Sequence, residues 1–149
     1  MFKTPLKPAR WIGTAVAPLL LLTACATEET AKVSVDRVVG NWEGPNGEKL
    51  SFSADRKFAA SGLDSKKLAE TDCPGDESAG SWGFMVDEDN GSSFRSATAK
   101  SGSWIGLGFE RQYFGCILEL AVVDGGDTLC ATNDPDVPCG LDVRFTREK

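Results

Sequence analysis

From residue 49 onward, polar and apolar side chains alternate in short runs separated by turn residues. Lys49-Leu50-Ser51-Phe52-Ser53 alternates with period two, Ala54-Asp55-Arg56-Lys57 reads as a turn, and Phe58-Ala59-Ala60-Ser61 resumes, which predicts a β-hairpin. Residues 64–77 break the pattern with charge and Pro74-Gly75, predicting a helical turn within a long loop. Residues 80–86 alternate again, Asn90-Gly91 is a strong two-residue turn signal, and residues 92–99 read as the returning strand. Residues 104–109 and 115–123 form the next pair. Gly125-Gly126 between Asp124 and Asp127 marks another tight turn, and residues 127–132 and 141–147 complete the series. Ahead of these, residues 33–39 predict a first short helix or strand.

Eight or nine short strands with little helix predict an all-β domain, an antiparallel meander closed into a small barrel or folded into a sandwich. Closure is favoured because it leaves no exposed edge strand. The alternation places Leu50, Phe52, Phe58, Trp82, Phe84, Ile105, Leu107, Leu118, Leu120, Val143 and Phe145 inward. An eight-stranded barrel is just wide enough to pack its own side chains or to hold one small ligand. The bulk of this set predicts a packed interior, with a shallow mouth lined by Trp104, Tyr113 and Phe114 as candidate ligand-binding residues.

The N-terminus carries a different pattern. Lys3, Lys7 and Arg10 supply a basic start, residues 11–22 an apolar run, and Leu22-Thr23-Ala24-Cys25 a small-residue site ending in cysteine. The apolar run is about twelve residues long, whereas crossing a bilayer takes roughly 20. This segment resembles the lipobox signal peptide of bacterial lipoproteins, and the chain is similar to short lipoproteins of Gram-positive bacteria. The resemblance implies that residues 1–24 are removed and that Cys25 is acylated, palmitate-type chains included. It also implies anchorage on the extracytoplasmic face of the cell membrane. Residues 25–36 then form the lipidated cysteine and a tether, and residues 37–149 a single β-domain.

Of sixteen basic and twenty-two acidic residues, the leader holds three basic and no acidic ones, so the remainder has a balance of −9. That charge disfavours nucleic acid as a partner. With Cys25 assigned to lipid, Cys73, Cys116, Cys130 and Cys139 form an even set, which outside the cytoplasm predicts two disulfides. Cys130 and Cys139 flank a turn-rich stretch, so the favoured pairing is Cys130–Cys139 with Cys73–Cys116. The spacings contain no close cysteine pair and the chain has no histidine, so neither a zinc site nor any other metal or cofactor is predicted. Asn133-Asp134-Pro135-Asp136 crowds oxygen ligands, but turn chemistry selects the same residues.

Gly40-Asn41-Trp42 opens the first core strand and resembles the Gly-x-Trp entrance of lipocalins and related barrels. The resemblance implies that Trp42 plugs one end of a barrel and that an arginine near the last strand stacks across its indole. Strand parity through Leu141, Val143 and Phe145 puts Arg147 on the apolar face and Arg144 on the other, making Arg147 the partner.

Without histidine, a Ser-His-Asp triad or a Cys-His pair cannot be built, and no catalytic residues are assigned. A carboxylate pair such as Glu110 with Glu119 is the remaining route to hydrolysis. The sequence thus predicts a membrane-anchored binding module that serves protein interaction or an envelope-accessory role. The alternative is a lipocalin-like binder of a small apolar ligand, and a carboxylate-based hydrolase is a remote third.

Overall fold

The computed structural model describes residues 28–110, 116 and 118–149. Cys25, Tyr113 and Phe114 lie outside the described residues. Among the described residues, eleven strands and one short α-helix follow in order: β1 (Val33–Ser34), α1 (Val35–Val38), β2 (Gly40–Glu43), β3 (Lys49–Phe52), β4 (Lys57–Ser61), β5 (Ser78–Asp87), β6 (Ser93–Ser96), β7 (Ser101–Gly102), β8 (Trp104–Phe109), β9 (Glu119–Val123), β10 (Thr128–Thr132) and β11 (Arg144–Arg147). Residues 33–39 therefore contain both a strand and a helix, and the loop of residues 64–77 contains a single 3₁₀ turn at Ala69–Thr71.

Eight strands close an antiparallel barrel in the order β2-β3-β4-β5-β8-β9-β10-β11, with β11 returning to β2 through Thr146↔Glu43 and Arg147↔Trp42. The barrel is a meander apart from one excursion. β5 is ten residues long and serves three neighbours: β4 along residues 78–81, β8 along residues 80–84, and β6 along residues 84–87, where it extends past the barrel. β1 and β7 make a separate two-stranded ladder.

Inward residues form one apolar core. Trp42, Leu50, Phe52, Phe58, Trp82, Phe84, Ile105, Leu118, Leu120, Val143 and Phe145 are buried, and Leu107 packs against them half-buried. Their rings meet edge to face: Phe52 with Trp82 at 5.5 Å, Trp82 with Phe84 at 5.7 Å and Phe58 with Phe109 at 5.1 Å. Such pairs add about 0.5–1.5 kcal/mol each beyond area burial.

Both predicted disulfides are present. Cys73–Cys116 ties the β4–β5 connection to the β8–β9 connection, while Cys130–Cys139 ties β10 to the loop that follows it.

Residues 28–34 lie against the barrel. The N–H of Ala31 donates to the Val122 carbonyl at 2.8 Å, β1 pairs with β7, and Glu28 receives two hydrogen bonds from the Arg144 guanidinium, at 3.1 and 2.8 Å. Part of the segment that composition reads as a tether is thus docked, because Ala31 and Val33 have apolar surface to cover and Glu28 has a cation to meet.

Candidate functional site

Whether the barrel interior can receive a ligand depends on its two ends. At the end where α1 lies, Val38 is buried and its carbonyl accepts the Trp42 indole N–H at 2.9 Å. The Arg147 guanidinium carbon lies 4.6 Å from the Trp42 ring centroid, and Arg147 donates to the carbonyls of Val39, at 2.8 Å, and Arg37. Gly40 completes this arrangement. Its φ is +135°, which L side chains rarely adopt, and a Cβ there would stand 2.5 Å from Arg147 Nη1 and push the guanidinium off its place over Trp42. A second cation closes the same end. Arg56, in the β3–β4 turn with φ of 67°, sits 4.7 Å from the Trp82 ring centroid and donates to the Ala99 carbonyl at 2.6 Å.

The opposite end is closed by residues 62–77, which carry Leu63 and Leu68 into the core with no exposed surface. Three links hold this segment down. Ser65 donates to the Glu48 carboxylate at 2.5 Å, Lys67 pairs with Asp142 at 2.7 Å, and Cys73 is bonded to Cys116. Glu48 is itself fully buried. Burial pushes its carboxyl upward, but hydrogen bonds from Ser65 and from the Asn46 side chain and N–H outweigh this and hold it below the usual glutamate range.

The expected mouth does not form around Trp104. Trp104 begins β8 and points oppositely to the inward Ile105, packing half-buried on the outer wall with Ala121, Val123, Cys130 and Cys139. The chain leaves β8 at Phe109, the other end of the strand. Parity and strand length thus set Trp104 itself on the outer wall, at the end of β8 away from Phe109. Tyr113 and Phe114 fall outside the described residues.

Of the carboxylates considered for hydrolysis, Glu119 pairs with Gly106 in mid-β8, four residues before Glu110, which places their backbones about 13 Å apart along the strand. Burial raises the Glu119 carboxyl above its ordinary value. Among the described residues, no group of three or more Cys, Asp or Glu side chains is placed to hold a metal ion. The Asp134 carboxylate instead accepts the Asp136 N–H at 3.0 Å, closing a turn.

A concavity of about 860 Å³ lies on the outer wall of β2, β3, β4 and β5. Its floor is a row of small outward side chains set side by side by the sheet register: Asn41 opposite Ser51, Ser51 opposite Ala59, and Ala59 opposite Ala79. The row ends in a carboxylate on each side. The Glu148 N–H donates to the Asn41 carbonyl at 2.9 Å and the Glu110 N–H to the Ala79 carbonyl at 3.0 Å. Asp76 and Glu77 add to the rim, and Lys49 is its cation, 3.9 Å from Glu148. Sequence inspection did not single out this wall, since alternation marks Ser51, Ala59 and Ala79 only as outward.

No protein-family model matches the chain, and the searches of curated proteins and of solved structures give no match.

Proposed function

We propose that this protein is a membrane-anchored extracytoplasmic binding module that engages its partner with the outer wall of a filled barrel. The observation that carries this reading is the interior itself, occupied by Trp42, Trp82, Phe84 and Phe145 and covered at both ends by docked segments. A site for an apolar molecule would require displacing several of these side chains, each burial being worth about 1.5–3 kcal/mol. The outer concavity needs no such displacement.

The anchoring half of the proposal rests on the lipobox resemblance. Only two residues lie between Cys25 and Glu28, three residue steps that span at most about 11 Å of chain. A lipid at Cys25 would therefore hold the barrel close to the bilayer by the side that Glu28 contacts. In the circular strand order the concave wall starts at β2, beside β11, which carries the Arg144 partner of Glu28, and reaches β5, four strands away on the opposite side. Such anchorage would turn the β4–β5 part of that wall away from the lipid surface.

Titration with cis-parinaric acid, a fluorescent fatty acid that reports entry into apolar cavities, tests the filled-barrel reading. The full-length protein in a non-binding detergent should show no saturable signal. Saturable one-to-one binding, weakened by Phe84→Trp inside the barrel, would establish the lipocalin-like alternative instead.

A further inference from the structure

We infer that the outer concavity is the docking site for an extended cationic peptide segment of about seven residues, lying across β2 to β5; this rests on the reading of the barrel wall as the working surface. The floor supplies the shape. Asn41, Ser51, Ala59 and Ala79 form one continuous row, all exposed and all small, so a partner backbone can approach the sheet closely. The ends supply the length. Around the curved wall, the path from the Glu148 position to the Glu110 position is five of the barrel's eight strand spacings, an arc of about 24 Å at 4.8 Å each, which a peptide following the wall covers in about seven residues.

The rim supplies the charge. Four carboxylates, from Asp76, Glu77, Glu110 and Glu148, face one lysine, and Lys49 is already paired with Glu148. The wall therefore has a net deficit of three positive charges, and potentials of opposite sign steer and orient a partner. The floor carries no large aromatic or aliphatic side chain to reward an apolar partner. A basic segment with its charges at the two ends and small or polar residues between them meets every feature of this surface.

The test uses octalysine as the probe, titrated onto the full-length protein by calorimetry at low ionic strength. The acidic wall should bind it and lose affinity as salt rises. Ala59→Trp, which blocks the floor without changing net charge, should weaken binding about tenfold or more. Replacing Asp76 and Glu77 by Asn and Gln should weaken it by about fivefold or more. The same charge change at the β5–β6 hairpin tip, Asp87→Asn with Glu88→Gln, should leave binding within about twofold. Urea unfolding of each variant should match wild type, showing that the fold survives. Equal losses from the two double variants with no effect of Ala59→Trp would reduce the interaction to net charge and overturn the site. Spermine binding as tightly as octalysine would show neutralisation of point charges, not docking of a segment, and would also overturn it. Neither result touches the filled interior, which the fatty-acid titration tests separately.

Discussion

Trp42→Ala is the most demanding test of how the barrel is closed. The indole has no exposed surface, its N–H is bonded to the Val38 carbonyl, and Arg147 lies over its face. Truncating a buried tryptophan costs about 3–5 kcal/mol from lost transfer energy and the residual cavity. Within that total, the hydrogen bond contributes about 1 kcal/mol and the cation–π contact about 0.5–2 kcal/mol. For a urea slope of about 1.5–2 kcal/mol/M, the midpoint should fall by about 2 M. Equilibrium unfolding under non-reducing conditions, followed by far-ultraviolet circular dichroism, reads this directly. Trp42→Phe keeps most of the apolar volume and should cost about 1–2 kcal/mol, chiefly the indole hydrogen bond. Combining Trp42→Ala, which removes the ring, with Arg147→Met should show a coupling of about 0.5 kcal/mol or more, since the two side chains touch. A loss below about 1 kcal/mol for Trp42→Ala, or strict additivity in the double variant, would refute the idea that Trp42 and Arg147 jointly seal this end.

Three further outcomes follow from the same geometry. The folded-state carboxyl of Glu48 lies below its ordinary value, so its stabilisation is present above about pH 4.5 and is lost as pH falls through the lowered folded value; Glu48→Gln should lower stability at pH 7 and flatten the acid limb in urea unfolding, and an unchanged limb contradicts this. Replacing both Cys73 and Cys116 by Ser opens a loop of 43 residues and should cost about 4 kcal/mol, against about 2.6 kcal/mol for the 9-residue Cys130–Cys139 loop; a reversed order in thermal melts would show that loop entropy does not dominate. Cys25→Ser should abolish acylation and move the protein from the detergent phase to the aqueous phase on Triton X-114 partitioning, and partitioning identical to wild type would remove the lipobox reading.

The barrel was legible because its signals are local and periodic. Alternation over residues 49–61 and 80–86, with Asn90-Gly91 and Gly125-Gly126 as turns, states the strands and their inward faces. Strand parity likewise separated Arg147, now over Trp42, from Arg144, now outside with Glu28. Features that depend on distant partners were not legible. Arg56 occupies a turn that reads as solvated, yet its guanidinium reaches Trp82 because the fold brings β5 beside β4. Glu48 looks like any loop carboxylate until residues 62–77 fold over it. Leu63 and Leu68 lie in a charged, aperiodic stretch and reveal their role only as the cover of an open end. Trp104 failed for a related reason: an aromatic at a strand start can face either way, and here it covers the Cys130–Cys139 bridge from outside. The concave wall left the faintest trace, since its signature is the small size of residues that register alone brings into one row.

Native mass spectrometry of the protein, purified from an oxidising compartment without denaturation, addresses the filled interior most directly. The account predicts a chain carrying its N-terminal lipid and two disulfides, four hydrogens lighter than its reduced form, with no further mass. A discrete additional small mass that survives purification and leaves on collisional activation would contradict it, and would place the working site inside the barrel.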